Sequence, residues 1–152
     1  MFKYFDVMCF GILLFFGVCF GDVSVVSNGK SSNNIYYDNI QYTDNVVLQE
    51  IDALHIKHKG NLQVVGDYYE ISFDIVNASG NDVSISNFFI PTNDSYIHYD
   101  LFYVDGNKVS VGDFLKDKEI KRVCYRVSYQ HPIISDSYDF NSSFFINYEQ
   151  VL

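Results

Sequence analysis

Two imidazoles fall close together at His55-Ile56-Lys57-His58. Histidine is the commonest metal ligand and proton shuttle near neutral pH, so this is the first place to look for chemistry. A zinc-protease helix needs His-Glu-x-x-His, with both His on one helical face and the Glu as base. Here the spacing is three and no Glu intervenes. On a strand, that spacing sends the rings to opposite faces, which makes them poor joint ligands. Both read as exposed strand-end histidines, as do the isolated His98 and His131. Cys124 alternates with Val123 and Tyr125 and reads as a small strand side chain, since no basic cluster beside it would lower its pKa.

Other catalytic patterns are missing. No Gly-x-Ser-x-Gly elbow occurs, and no local pattern gives a serine its base. Carboxylates are plentiful, but a glycosidase pair is defined by separation in space. The oxygen-rich runs Asn77 to Asp82 and Asn93-Asp94 could in principle hold Ca²⁺. Without an Asp-x-Asp-x-Asp-Gly loop, plain turns are the expectation. Asn77, Asn93 and Asn141 each begin an Asn-x-Ser triplet, the acceptor pattern for N-glycosylation in a eukaryotic secretory chain. No catalytic residue, metal ligand or cofactor is expected, and the chain reads as a non-enzyme.

The elements that would carry these residues are strands. Among 152 residues there are 13 Tyr and 14 Phe but no Trp and only 2 Pro, a composition that suits pleated, half-buried surfaces. Leu and Ala are sparse, which weakens any helical reading. The net charge is -9 with a pI near 4.6, so there is no electrostatic basis for binding a nucleic-acid backbone or an anionic membrane surface.

The first residues, MFKYFDVMCFGILLFFGVCFGD, have a short basic start at Lys3 and an apolar run from Val7 to Phe20. This is a secretory signal pattern, with cleavage expected between Gly21 and Asp22. The alternative is an uncleaved anchor, although the run is shorter than the roughly 20 apolar residues of a spanning helix. No Leu-x-small pattern precedes Cys19, so a lipid anchor is not expected. Cys9 and Cys19 lie inside the signal, so cleavage leaves Cys124 alone and no disulfide framework. The expected divisions are residues 1–21 as signal or anchor, 22–45 as a Ser- and Asn-rich linker, and 46–152 as the folded domain.

Within that domain the apolar residues recur every second position. VGDYYEISFDIVNASGNDVSI, Val65 to Ile85, puts Tyr69, Ile71, Phe73 and Ile75 on one face, breaks at Asn77 to Asp82, and resumes at Val83 and Ile85. Strands are also expected at Leu54 to Lys57, Tyr99 to Val104, Lys108 to Val111, Val123 to Tyr129 and Phe140 to Tyr148. Asp105-Gly106 joins two of them as a hairpin turn. Asp113 to Lys121 reads as a loop between strands, or a turn of helix. About seven short strands with regular turn signals predict an all-β fold, an Ig-like antiparallel β-sandwich, with a small barrel as the alternative.

Several of these residues form a recurrent set: Gly66-Asp67-Tyr68-Tyr69, Phe73 to Asn77, Gly80-Asn81, Tyr103 to Gly106, Val111-Gly112-Asp113-Leu115, and Val123 to Tyr129. In this the chain resembles the small exported Ig-like β-sandwich proteins of Gram-positive bacteria, distantly similar in layout to camelysin and the biofilm-fibre proteins exported with it. The likeness spans roughly Leu54 to Gln130 and rests on turn and strand residues. It implies an exported sandwich at the cell surface. It carries no protease activity over, because no catalytic motif matches.

The functional expectation is therefore a secreted or cell-surface protein that makes contacts in the surface or extracellular matrix. Its partners would be proteins or glycans, with self-association included, and the membrane would be met only through an uncleaved first segment. Sheet edges would mediate contact, with the strands around Leu54 and Phe144 as candidates. A carbohydrate-binding module is the alternative, using some of Tyr36, Tyr37, Tyr42, Tyr68, Tyr96, Tyr99, Tyr103 and Tyr138 as a planar row. A small secreted hydrolase is the third reading.

Overall fold

A computed structural model of the chain describes residues 34–52, 54–131 and 138–152. The expected signal, its cleavage point at Gly21 and Asp22, and linker residues 22–33 lie outside the described residues. Nine strands follow in order: β1 (Ile35–Tyr42), β2 (Val46–Asp52), β3 (His55–Leu62), β4 (Tyr68–Asn77), β5 (Val83–Phe89), β6 (Ile97–Tyr103), β7 (Phe114–Leu115), β8 (Ile120–Tyr129) and β9 (Tyr138–Gln150). No helix occurs among the described residues.

The strands form two antiparallel sheets, β1-β4-β8-β6 and β2-β3-β9-β5-β7, an arrangement consistent with a β-sandwich. Every connection except β2–β3 crosses from one sheet to the other. The alternation read from sequence sets the inner face. Tyr69, Ile71, Phe73 and Ile75 of β4 and Val123, Tyr125 and Val127 of β8 are buried. Opposite them lie Ile56 and Leu62 of β3 and Phe144 and Ile146 of β9. Aromatic rings join the layers: Phe144 lies 5.4 Å from Phe73 and 4.3 Å from Tyr125 across the sheets, while Tyr37 and Phe73 sit 4.3 Å apart within one sheet, between ring centroids. Each such ring stabilises the fold by roughly 1.5–3 kcal/mol through burial. The sheets also meet closely at Gly60, where a methyl group would lie 2.1 Å from the Tyr69 ring, so β3 needs a glycine there.

The strand count exceeds the expected seven, and the folded region starts ahead of Val46. Ile35, Tyr37 and Ile40 are buried, so β1 belongs to the domain and not to a linker. A bulge between Asp38 and Gln41, with Asn39 at φ 48°, explains why β1 escaped a period-two reading. One extra residue moves the inward set from Ile35 and Tyr37 to Ile40 and Tyr42. A bulge between Leu48 and Glu50 obscures β2 in the same way.

Val65 to Ile85 is strand, turn and strand as its pattern predicts, entered through Gly66 at φ 95°. Its two strands nevertheless belong to different sheets. The Asp105-Gly106 turn is present, with Gly106 at φ 89°. Its return arm is no named strand and makes one bridge, Lys108 to Phe102. Asp113 to Lys121 contains the two-residue β7 and a turn.

Candidate functional site

The histidines part company as the strand period requires, but one prediction about them is wrong. His55 faces outward, whereas His58 lies on the inward face of β3 with Ile56, Gly60 and Leu62 and is fully buried. It is a core residue, not an exposed strand-end histidine. Its Nε2 lies 2.9 Å from the Tyr69 hydroxyl, and the rings of Tyr69, Tyr125 and Phe144 pack around it at 5.5, 5.3 and 6.1 Å. Its Nδ1 has no hydrogen-bond partner. Burial pushes the imidazole pKa down to about 4, so near neutral pH the ring is uncharged. The same burial raises the Tyr69 and Tyr125 hydroxyls, which stay protonated. The group is a hydrogen-bonded aromatic cluster within the core.

On the outer face of the four-stranded sheet, Glu70 of β4 stands beside Arg126 of β8, its direct cross-strand partner. Arg126 Nε donates to Glu70 Oε1 at 2.6 Å, and its Nη2 pairs with the same oxygen. The Glu70 side chain is only 5% exposed and that of Arg126 43%. The guanidinium also lies 5.1 Å from the Tyr68 ring and 5.3 Å from the Phe102 ring. Cys124 sits next to this pair, buried, between Ser72 and Phe102 in the register. Burial, helped by the Glu70 carboxylate, pushes its thiol up to about 12, as expected for an inert strand thiol. Arg122 Nη1 donates to Asp74 Oδ1 at 2.9 Å on the same face.

The two members of the Glu70–Arg126 pair differ in what their loss leaves behind. Arg126→Ala strands a buried carboxylate and is expected to destabilise the chain by about 3 kcal/mol. Glu70→Gln frees a guanidinium that reaches water and should cost about half of that. Urea unfolding of both variants measures the order, and equal losses would refute the asymmetry.

The Asn77 to Asp82 turn is a structural staple. Asn77 is fully buried. Its Nδ2 donates to the carbonyls of Asn81, Leu115 and Lys116 at 2.8, 3.1 and 3.0 Å, and its Oδ1 accepts from Ser79 N and Oγ. Asp82 and Asp117 accept backbone N–H groups nearby. The side-chain oxygens of Asn93 and Asp94 likewise accept from the backbone of Tyr96, Ile97 and Tyr99. No group of three or more His, Cys, Asp or Glu that could hold a metal occurs among the described residues. Asn93 and Asn141 are exposed, whereas the Asn77 amide is engaged and hidden.

The eight tyrosines differ in exposure. Tyr37 is buried, Tyr36, Tyr42, Tyr99 and Tyr103 are half-buried, and Tyr68 and Tyr96 are exposed on β4 and ahead of β6. The Tyr138 side chain lies outside the described residues. A cleft of about 530 Å³ near the β6–β8 end contains Lys108, Lys121 and Arg122. Its cations are engaged: Lys121 with the Phe114 carbonyl, Arg122 with Asp74, and Lys108 with Asp100.

The edges also differ from expectation. The strands around Leu54 and Phe144, β3 and β9, are both interior, because β2 and β5 flank them. The edge strands are β1, β6, β2 and β7. That of β6 is occupied. Tyr99 N donates to Asn93 Oδ1, Tyr103 N to Asn107 O, and Val109 N to Leu101 O, which uses the outer groups of β6. The β1 bulge is tied down by Asn39 Nδ2 to Asp74 and by Arg122 to Asn39 O. The seven-residue β2 pairs only with β3, and Val47 on it is 62% exposed.

No family model, no curated protein and no solved structure matches this chain.

Proposed function

We propose that this is an exported, non-enzymatic protein with an Ig-like β-sandwich, working by contact at the cell surface or in the extracellular matrix. The observation that carries the reading is β2. It is an edge strand of seven residues that pairs only with β3, and it offers backbone N–H and C=O groups to a partner strand. The groups that could do chemistry elsewhere point the same way, since His58, Cys124 and Asn77 are buried in structural roles. Export itself is supported by the apolar run Val7 to Phe20, and the acidic charge suits a chain that stays soluble until it meets its partner.

A lysine on an edge strand blocks strand addition without disturbing the pairing on the other side. Val47→Lys is therefore expected to lower retention on cell envelopes, measured by co-sedimentation, several-fold. Its unfolding free energy should stay within about 0.5 kcal/mol of the parent, as for other surface substitutions. Retention equal to the parent would exclude β2 as the contact.

A further inference from the structure

The outer face of the five-stranded sheet carries an aromatic row across three adjacent strands. In the register, His55 of β3 stands opposite Phe145 of β9, and Phe145 opposite Phe89 of β5. His55 meets Phe145 edge-on at 6.3 Å, and Phe145 stacks on Phe89 at 5.7 Å with planes 19° apart. Each ring therefore braces the next. The row ends at an open side: β7 pairs only with Val83 and Ser84, so among the described residues no strand lies beyond Phe89, which is 46% exposed.

The neighbouring row on the same face is Asn87 and Asn147, paired across β5 and β9. Asn147 Nδ2 donates to Asn87 Oδ1 at 2.7 Å, and both residues are exposed. Whichever way the amides are turned, the pair keeps one amide nitrogen and one carbonyl oxygen for a ligand. Phe89, Phe145, Asn87 and Asn147 carry no formal charge, on a chain whose net charge is -9.

From this juxtaposition we infer that the Phe89–Phe145 row with the Asn87–Asn147 pair is a binding subsite for a neutral sugar unit of a glycan. A pyranose ring has a face of polarised C–H groups, which the negative face of an aromatic ring attracts. Its vicinal hydroxyls each donate and accept, matching an adjacent amide donor and carbonyl acceptor. Phe89 provides the face and Phe145 with His55 holds it in place, so little order is lost on binding. The acidic chain repels anionic polymers, which leaves uncharged glycans as the class that fits. The inference goes beyond the contact reading above: it concerns a surface separate from β2 and names a second, glycan partner, and it uses phenylalanines and amides in place of a tyrosine row.

The test is affinity electrophoresis of the full chain through native gels holding a neutral β-glucan, mannan or galactan, with polygalacturonate as the charged comparison. At least one neutral polymer is expected to retard the chain. Phe89→Ala and the double variant Asn87→Ala/Asn147→Ala should each weaken that retardation about tenfold or more, as truncation of a binding anchor does. Both variants alter exposed groups, and an unchanged unfolding midpoint verifies that they fold. Val47→Lys should be retarded like the parent. Absence of retardation in all three neutral gels, retardation by polygalacturonate alone, or unchanged retardation of the folded Phe89→Ala chain would overturn the inference. Envelope retention that still depends on Val47 would then leave the contact reading standing.

Discussion

Asn77→Asp is expected to cost on the order of 3–5 kcal/mol, the scale seen when a buried charge is left without its partner. The native amide donates to three carbonyls that belong to two different connections, at Asn81 and at Leu115 and Lys116. A carboxylate in the same place has no proton to donate. It would confront three carbonyl oxygens while fully buried. Asn77→Ala removes the donor without adding charge, so its loss should be smaller, about 1–3 kcal/mol. Against a typical domain stability of about 5–15 kcal/mol, the aspartate removes from about a fifth to all of the stability. Urea titration at neutral pH reads the loss. Repeating it in acid supplies an internal control, because a protonated aspartic acid regains one donor and should recover part of the stability. A neutral-pH loss below that of Asn77→Ala would refute the account.

The second large effect is a dependence on pH set by His58. Its folded pKa, about 4, lies below the ordinary 6.5 because burial disfavours the imidazolium. A lowered folded pKa means that the unfolded chain takes up the proton first. Stability from this group is complete above about pH 6.5 and is lost as pH falls through the window down to about 4. At roughly 1.4 kcal/mol per unit, the total is about 3 kcal/mol. His58→Phe should flatten that part of the profile while the remaining acid dependence persists. Glu50 and Asp105, both held below their ordinary range by Lys57 and by Asn107 respectively, act at lower pH. Unfolding free energies of parent and variant between pH 7 and 4.5 make the comparison. Parallel curves would show that His58 is not the source.

Much of the fold was legible in the residues. The central strands β4, β8 and β9 have legible alternation because Tyr69 to Ile75, Val123 to Tyr129 and Phe144 to Ile146 place every second side chain against the other sheet. Period two survives only where pairing is regular. β1, β2 and β5 each carry a bulge, and one inserted residue exchanges inward and outward positions. That is why Ile35, Tyr37, Ile40 and Tyr42 read as part of a linker. His58 was misplaced for a different reason. The spacing of His55 and His58 correctly put them on opposite faces, but residue type argued that both were wet, and the phase set by Ile56 and Leu62 decided otherwise.

The candidate surfaces were less legible, because they are made by neighbours distant in sequence. His55, Phe89 and Phe145 come from three strands, and no local signal brings them together. Alternation hints that Phe89 and Phe145 point outward but cannot say that β5 lies next to β9. Edge status has the same character. Whether a strand is flanked depends on sheet order, and sheet order is decided by how all nine strands bury their apolar faces at once. By itself, then, the sequence determined strand character, turn positions, acidity and the apolar first segment, all of which follow from the identity and spacing of near neighbours. Only the tertiary structure decided which strands are edges, which histidine is buried and which rings form a row, because each depends on long-range pairing that relieves many strands of their exposed apolar surface together.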